Sequence, residues 1–299
     1  MSIDLSIIRF VICFIFLGVA VISDVRTRKV PNTLWIVMAP IAASILAVDL
    51  YQRGVGWRHY LIFIPIAFLF VEALVERPPL VNNGKINHLV FGWFILPVLV
   101  IFYMLYSIRS SMLLWSLMSV IVMMCLAFVL YYFAILYGGA DAKAVVVLAV
   151  LFPFYPEIQG LTHWAGDAVL LDFMEIFFPF TFVILLNAAI LTLFLSLYYL
   201  TMNLKNADIG FPQMFFGYKM KVDKIEDSFV WPMEYYEDGR KRMKLFPKGL
   251  NERALESLKD RDINRAWVSP KVPFLVPMFF GFLLGYIIGN PLLHLFEWI

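Results

Sequence analysis

The sequence predicts an α-helical polytopic membrane protein with about eight spans and a small α+β soluble insert before the last of them. Three observations predict it. Of the 299 residues, 62% are hydrophobic and 15% charged, whereas a soluble domain holds about 45–50% apolar and about 25% charged residues. Several runs reach on the order of 20 apolar residues, enough to cross a hydrocarbon layer of about 30 Å. The charge is also concentrated, with 13 of the 24 Lys and Arg and 11 of the 22 Asp and Glu in residues 205–270.

The apolar runs place candidate spans at roughly 5–23, 31–50, 59–76, 88–107, 113–137, 141–153, 172–203 and 272–293. The start, Met1-Ser2-Ile3-Asp4, has an acid where a signal peptide needs a basic region, and Arg9 interrupts the first run. The first span is therefore expected to stay in the mature chain. The sixth run is short for a full crossing; it extends through Phe154-Tyr155, sits in a thinned bilayer, or is a half-span. Cys13 and Cys125 both lie inside apolar runs, so no disulfide framework is expected. The net charge of +2 implies no nucleic-acid partner.

In the charged segment, Phe229–Tyr236 and Arg240–Phe246 flank Glu237-Asp238-Gly239, a β-hairpin pattern with a Gly-containing turn. Pro232 sets the first strand at an edge or breaks it. Residues 251–258 follow as a short helix, with Asn251 or Gly249 near its cap. The expected divisions are residues 1–204 as membrane domain, 205–270 as soluble insert and 271–299 as last span. Arg26, Arg28 and Lys29 crowd the first loop, which orients the N-terminus outside and the insert in the cytoplasm.

With that topology Asp24, ending the first span, and Asp141, following the fifth, lie at one membrane face. A pair of adjacent carboxyls hydrolyses a peptide without a metal: one ionised group draws a proton from water while the other, still protonated, donates to the substrate. Two like charges a few ångströms apart do not both ionise cheaply, so the pair shares a proton. Gly138 and Gly139 fit such a site, because glycine lets backbone approach an extended substrate or take φ > 0. Each feature also has a structural reading. Asp24 is then an interfacial acid answering Arg26 or Arg28, Gly138-Gly139 a turn, and Asp141 a helix cap.

Gly138-Gly139-Ala140-Asp141 resembles the Gly-x-(hydrophobic)-Asp motif of the type IV prepilin peptidase family of membrane aspartyl peptidases. Asp24-Val25-Arg26 followed by Val30-Pro31-Asn32 is similar to that family's first-aspartate loop. The run Trp267-Val268-Ser269-Pro270-Lys271-Val272-Pro273-Phe274-Leu275-Val276-Pro277, after a charged insert, is similar to the archaeal branch, the preflagellin (prearchaellin) peptidases. No cysteine domain of the kind common in bacterial members precedes the first span, which argues against an accompanying N-methyltransferase activity. The stretch 54–110 looks like two spans added to a six-span core; an even number keeps both aspartates on one side.

The resemblance implies an aspartyl endopeptidase with Asp24 and Asp141 as the catalytic pair and no cofactor. Gly138, Gly139 and Ala140 would shape the backbone facing substrate, and Lys143 matches a basic residue often seen after the motif. Substrates would be pilin-like or archaellin precursors, whose short basic leader is cut at the cytoplasmic membrane face while their apolar helix stays in the bilayer. Charge complementarity makes Glu226, Asp227, Glu234, Glu237 and Asp238 candidate contacts for such a leader.

A presenilin-like protease is the nearest alternative, but Pro-Ala-Leu near the C-terminus and Tyr-Asp at the first acid are both missing. A cation-coupled transporter using Asp24 and Asp141 is the other, without the internal symmetry transporters often show. The four His are scattered with no paired spacing, which argues against a metal site. Glu72 sits within a turn of the interface, and Asp167, Asp172 and Glu175 fall on the face away from Asp24.

Overall fold

The structure is a computed structural model, described for residues 5–75, 81–82, 85–133, 135–136, 138–158, 168–245 and 251–291. Helices α1 (Leu5–Thr27) and α2 (Asn32–Gln52) come first. A 3-10 turn, Trp57–Ile62, leads into α3 (Phe63–Leu74). Short antiparallel strands β1 (Val81–Asn82) and β2 (Lys85–Ile86) precede α4 (His88–Ile108) and α5 (Met112–Tyr132). Then follow α6 (Gly139–Leu151), α7 (Ala168–Phe177) and α8 (Phe180–Lys205). Strands β3 (Tyr218–Lys221), β4 (Val230–Pro232), β5 (Glu234–Glu237) and β6 (Arg240–Met243) lead to α9 (Asn251–Lys259), β7 (Arg265–Pro270) and α10 (Leu275–Ile287).

Among the described residues, six helical stretches are long and apolar enough to cross a membrane: α1, α2, Trp57–Leu74, Val90–Ile108, α5 and α8. α10 is apolar but shorter. The protein is a multi-pass membrane protein. Its helices show why: α1 leaves Ile7, Val11, Phe14, Ile15 and Ile22 exposed on its outer flank, a continuous apolar surface that lipid covers and water would not tolerate.

The chain divides into two compact units, Met1–Ala188 with Pro273–Ile299, and Ala189–Val272. In the first, α6 is the centre. It packs against α5, α2, α3 and α1, and every residue from Ala144 to Leu151 is buried. The sequence explains the placement: Ala144-Val-Val-Val-Leu-Ala-Val-Leu151 is apolar on all sides, and a helix without a polar face belongs inside. Its 13 residues span about 20 Å at about 1.5 Å per residue. The helix stops at Phe152 because Pro153 follows, and the residue before a proline is pushed out of the helical region.

Pro179 does the same to the run expected as one span over 172–203, which is two helices, α7 and α8, parted at Phe178-Pro179. α4 is peripheral, touching mainly α3 and the 3-10 turn before it. α8 and α10 approach closely where Gly281 faces the backbone; a Cβ there would lie 2.6 Å from the Ile184 carbonyl oxygen.

The second unit holds a three-stranded antiparallel sheet in the order β3-β7-β4 and the separate hairpin β5-β6. β7 is central, with Val268 opposite both Tyr218 and Pro232. The core beneath is Val222, Ile225, Val230, Leu258, Ala266 and Val268. Pro232 ends β4, and the chain leaves the sheet at Met233 to start the hairpin, so the expected single strand over 229–236 is split. The expected turn is present: Asp238 and Gly239 both have positive φ, 51° and 76°, as the tight hairpin turn requires. α9 lies against β5 and β4.

Candidate active site

Asp24 lies in the last turn of α1. Its carbonyl accepts the Arg28 N–H at 2.9 Å, and the helix ends because Arg28 takes a left-handed conformation, φ 55°. Side chains hold that end: the Ser23 and Thr27 hydroxyls both donate to the Lys29 carbonyl, at 2.8 and 2.9 Å. Pro31 then starts α2 with its preset φ of −65°. The Asp24 side chain is half-buried, with the Arg28 guanidinium as its charged neighbour.

Asp141 is the third residue of α6, and its carboxylate accepts the Gly138 N–H at 3.0 Å. The reciprocal bond, Asp141 N–H to the Gly138 carbonyl, is 3.1 Å, so the acid closes the helix N-terminus as a capping carboxylate does. Asp141 is only 5% exposed. Asp24 is near enough for its charge to act on Asp141.

The two glycines differ in role. Gly138 is extended, φ −97° and ψ 136°, a conformation open to any residue, so the expected need for φ > 0 is not its reason. Space is. A Cβ on Gly138 would stand 2.7 Å from the Asp141 Oδ2, where the carboxylate now sits. A Cβ on Gly139 would meet nothing within 4 Å. Ala140 packs half-buried against the helical core.

Lys143 points back toward the first-aspartate loop, its Nζ donating to the Asn32 Oδ1 at 2.6 Å. That bond ties α6 to the start of α2, and sequence reasoning did not find Asn32 as the partner. Of the acids expected to attract a basic leader, Glu234 is buried and occupied, accepting the Trp267 N–H at 3.1 Å and pairing with Lys241. Glu226 pairs with Lys259 at 2.7 Å, whose ammonium holds the Glu226 carboxyl below its ordinary range. Asp227, Glu237 and Asp238 are exposed.

A second charged group was missed. The Arg9 guanidinium, 4% exposed, donates to the Asp49 Oδ2 at 2.5 Å, and Arg53 Nε donates to Oδ1 at 2.7 Å. Arg53 also lies 3.8 Å over the Phe154 ring. Nearby, Glu175 accepts the Tyr155 N–H at 3.0 Å and the Ser116 hydroxyl at 3.3 Å. Arg53, Ser116, Phe154 and Glu175 line a cavity of about 150 Å³. The signal was available: Arg9 near the start of one span and Asp49 near the end of the next fall at the same end of an antiparallel helix pair.

Comparison with known proteins supplies a context for this geometry. Residues 211–290 match the family model Archaeal Peptidase A24 C-terminus Type II. A preflagellin peptidase of Methanococcus maripaludis is 24% identical over 212 residues, covering 67% of this chain and 85% of the relative. A preflagellin peptidase of Methanocaldococcus jannaschii is 27% identical over 202 residues, 64% of this chain and 76% of the relative. An uncharacterized protein of M. jannaschii is similar over nearly the full length, 26% identical across 97% of this chain and 95% of its own. The resemblance to the archaeal preflagellin peptidase branch of the prepilin peptidase family is borne out by these matches.

Proposed function

We propose that this chain is a membrane aspartyl endopeptidase that removes the short basic leader from preflagellin-type or other pilin-like precursors, with Asp24 and Asp141 as its catalytic pair. One observation carries the reading: two carboxyls from the ends of different helices come within electrostatic reach of each other in a chain similar to preflagellin peptidases. The N-terminus lies outside, and both acids and the 205–270 segment face the cytoplasm. α3 and α4 are additions to a six-span core, in keeping with the peripheral packing of α4.

The reaction needs only what these groups provide. The ionised carboxylate takes a proton from water as the oxygen attacks the scissile carbonyl. The protonated partner gives its proton to the carbonyl oxygen, forming a gem-diol. Return of a proton to the amide nitrogen lets the C–N bond break, leaving a carboxyl on the leader and an amine on the mature chain. Acids at the end of the helix bundle suit a precursor whose apolar helix rests in the bilayer and whose cut site emerges at its surface.

The test is cleavage of a preflagellin in membranes containing wild-type protein, Asp24→Asn or Asp141→Asn. Loss of cleavage by each variant, with normal accumulation, supports the reading; wild-type rates in both overturn it. The glycines give a finer check. Gly138→Ala displaces the Asp141 carboxylate and is expected to lower kcat by about 10²-fold, the effect of misplacing a catalytic group by about 1 Å. Gly139→Ala meets no atom and is expected to accumulate like wild type, with any loss appearing in KM and not in kcat.

A further inference from the structure

The second unit carries an apolar loop that the peptidase reading does not use. Among its described residues beyond α8, the large exposed hydrophobics are Ile209 at 74%, Phe211 at 82%, Phe216, Phe229, Met243 and Val272. Three of these six fall within one eight-residue loop, and the two most exposed flank a single glycine. We propose that this loop is a lipid-interface anchor, with Ile209 and Phe211 seated in the headgroup–acyl boundary of the membrane that α8 crosses.

The loop is held in shape from within its own unit. The Asn203 amide, fully buried, donates to the Met214 and Gly217 carbonyls at 2.9 and 2.7 Å. Asp208 is gripped by Arg265 at 2.8 Å and Lys219 at 3.4 Å. Gly210 lies flat on the Trp267 indole, where a Cβ would stand 2.9 Å from the ring. With Gly210 turned inward, its neighbours Ile209 and Phe211 are left 74% and 82% exposed. Two apolar side chains are thus displayed on a rigid mount, and displaying them to water serves no packing purpose.

Connectivity identifies what covers them. α8 ends at Lys205, four residues before Ile209, so the loop lies where the chain leaves the bilayer. α8 is itself exposed at Leu197 and Leu204, and Ile209 and Phe211 follow within seven residues of Leu204 in the chain. Lys205, exposed beside them, has the reach to meet headgroups while its stem lies along apolar surface. Shallow insertion of apolar side chains into this boundary, about 5–10 Å deep, is how interfacial segments hold a membrane.

The test uses the full chain in lipid nanodiscs, with Cys13 and Cys125 replaced by Ala and one cysteine introduced for an environment-sensitive nitrobenzoxadiazole label. Label sites are Phe211→Cys and, independently, Ile209→Cys, with Asp238→Cys at the hairpin turn as the exposed reference. At the depth typical of interfacial segments, the 209 and 211 labels are expected to emit to the blue of the 238 label and to be quenched at least about twofold more by shallow spin-labelled lipid. Emission and aqueous quenching equal to the 238 label overturn the proposal. So does a blue shift without lipid quenching, which means that protein covers the loop. If Phe211→Cys fails to accumulate, Ile209→Cys reads the same boundary. None of these outcomes depends on whether the chain cleaves a peptide.

Discussion

Asp141→Asn is expected to lower leader cleavage by about 10²–10⁴-fold, the usual contribution of a positioned acid or base, without removing the protein from the membrane. The reason lies in what asparagine keeps. Its amide oxygen still accepts the Gly138 N–H that Asp141 accepts at 3.0 Å, so the start of α6 stays closed and the buried volume stays filled. Only the capacity to hold and release a proton is lost. Asp24→Asn, in the last turn of α1, is expected to fall as far. The double variant should be little worse than either single one, because groups that act as one unit do not contribute additively. The measurement is the rate at which a labelled preflagellin loses its leader on a gel, per unit of folded enzyme. A double variant that falls by the product of the two single losses argues against a shared proton.

Asp49→Ala is expected to destabilise the protein by about 3–5 kcal/mol, the penalty for leaving a buried charge without its partner. Arg9 is 4% exposed and donates its charged hydrogen bond to Asp49. Replacing Arg9 and Asp49 together by Met and Leu is expected to restore most of that loss, since an apolar pair of similar volume is often neutral or better. Arg53→Ala is expected to do much less. Its side chain is 45% exposed, and exposed ion pairs contribute about 0–1 kcal/mol. Thermal unfolding in detergent separates the three. Arg9 sits 15 residues before Asp24 in the sequence, about 22 Å along α1 at about 1.5 Å per residue. Cleavage per folded molecule should therefore hold even where stability falls.

The parts of this molecule that follow from local chemistry were readable from the sequence. Pro232 breaking a strand and Asp238-Gly239 turning a hairpin are each decided within a few residues, whereas the sixth span reads only as short and not as the central helix. The Gly138–Asp141 relation was half legible: the spacing marked the site, but the reason for the glycine was space, not backbone conformation, and space depends on where the carboxylate settles. β3 and β7 pair across 44 to 50 positions, from Lys221 opposite Arg265 to Tyr218 opposite Val268, and no pattern within either strand announces the other. Lys143 to Asn32 is a contact of the same kind. Helix pairing decides it, and a single sequence shows only the residues, not which ends will meet.

α6 differs from its neighbours in having no side left for lipid. α1 divides its length between Cys13, Leu17 and Ala20, which are enclosed, and Ile15 and Ile22, which are not, so half its positions are free to drift among apolar residues of any shape. From Ala144 to Leu151 no such freedom exists, because α5, α2, α3 and α1 enclose the helix. A change at any of them is transmitted along a rigid rod only 13 residues long whose first turn carries Asp141. The membrane interior of this protein thus doubles as the mount of the proposed site, and the shapes of plain Val and Leu residues there set the aim of a carboxylate on the same short helix.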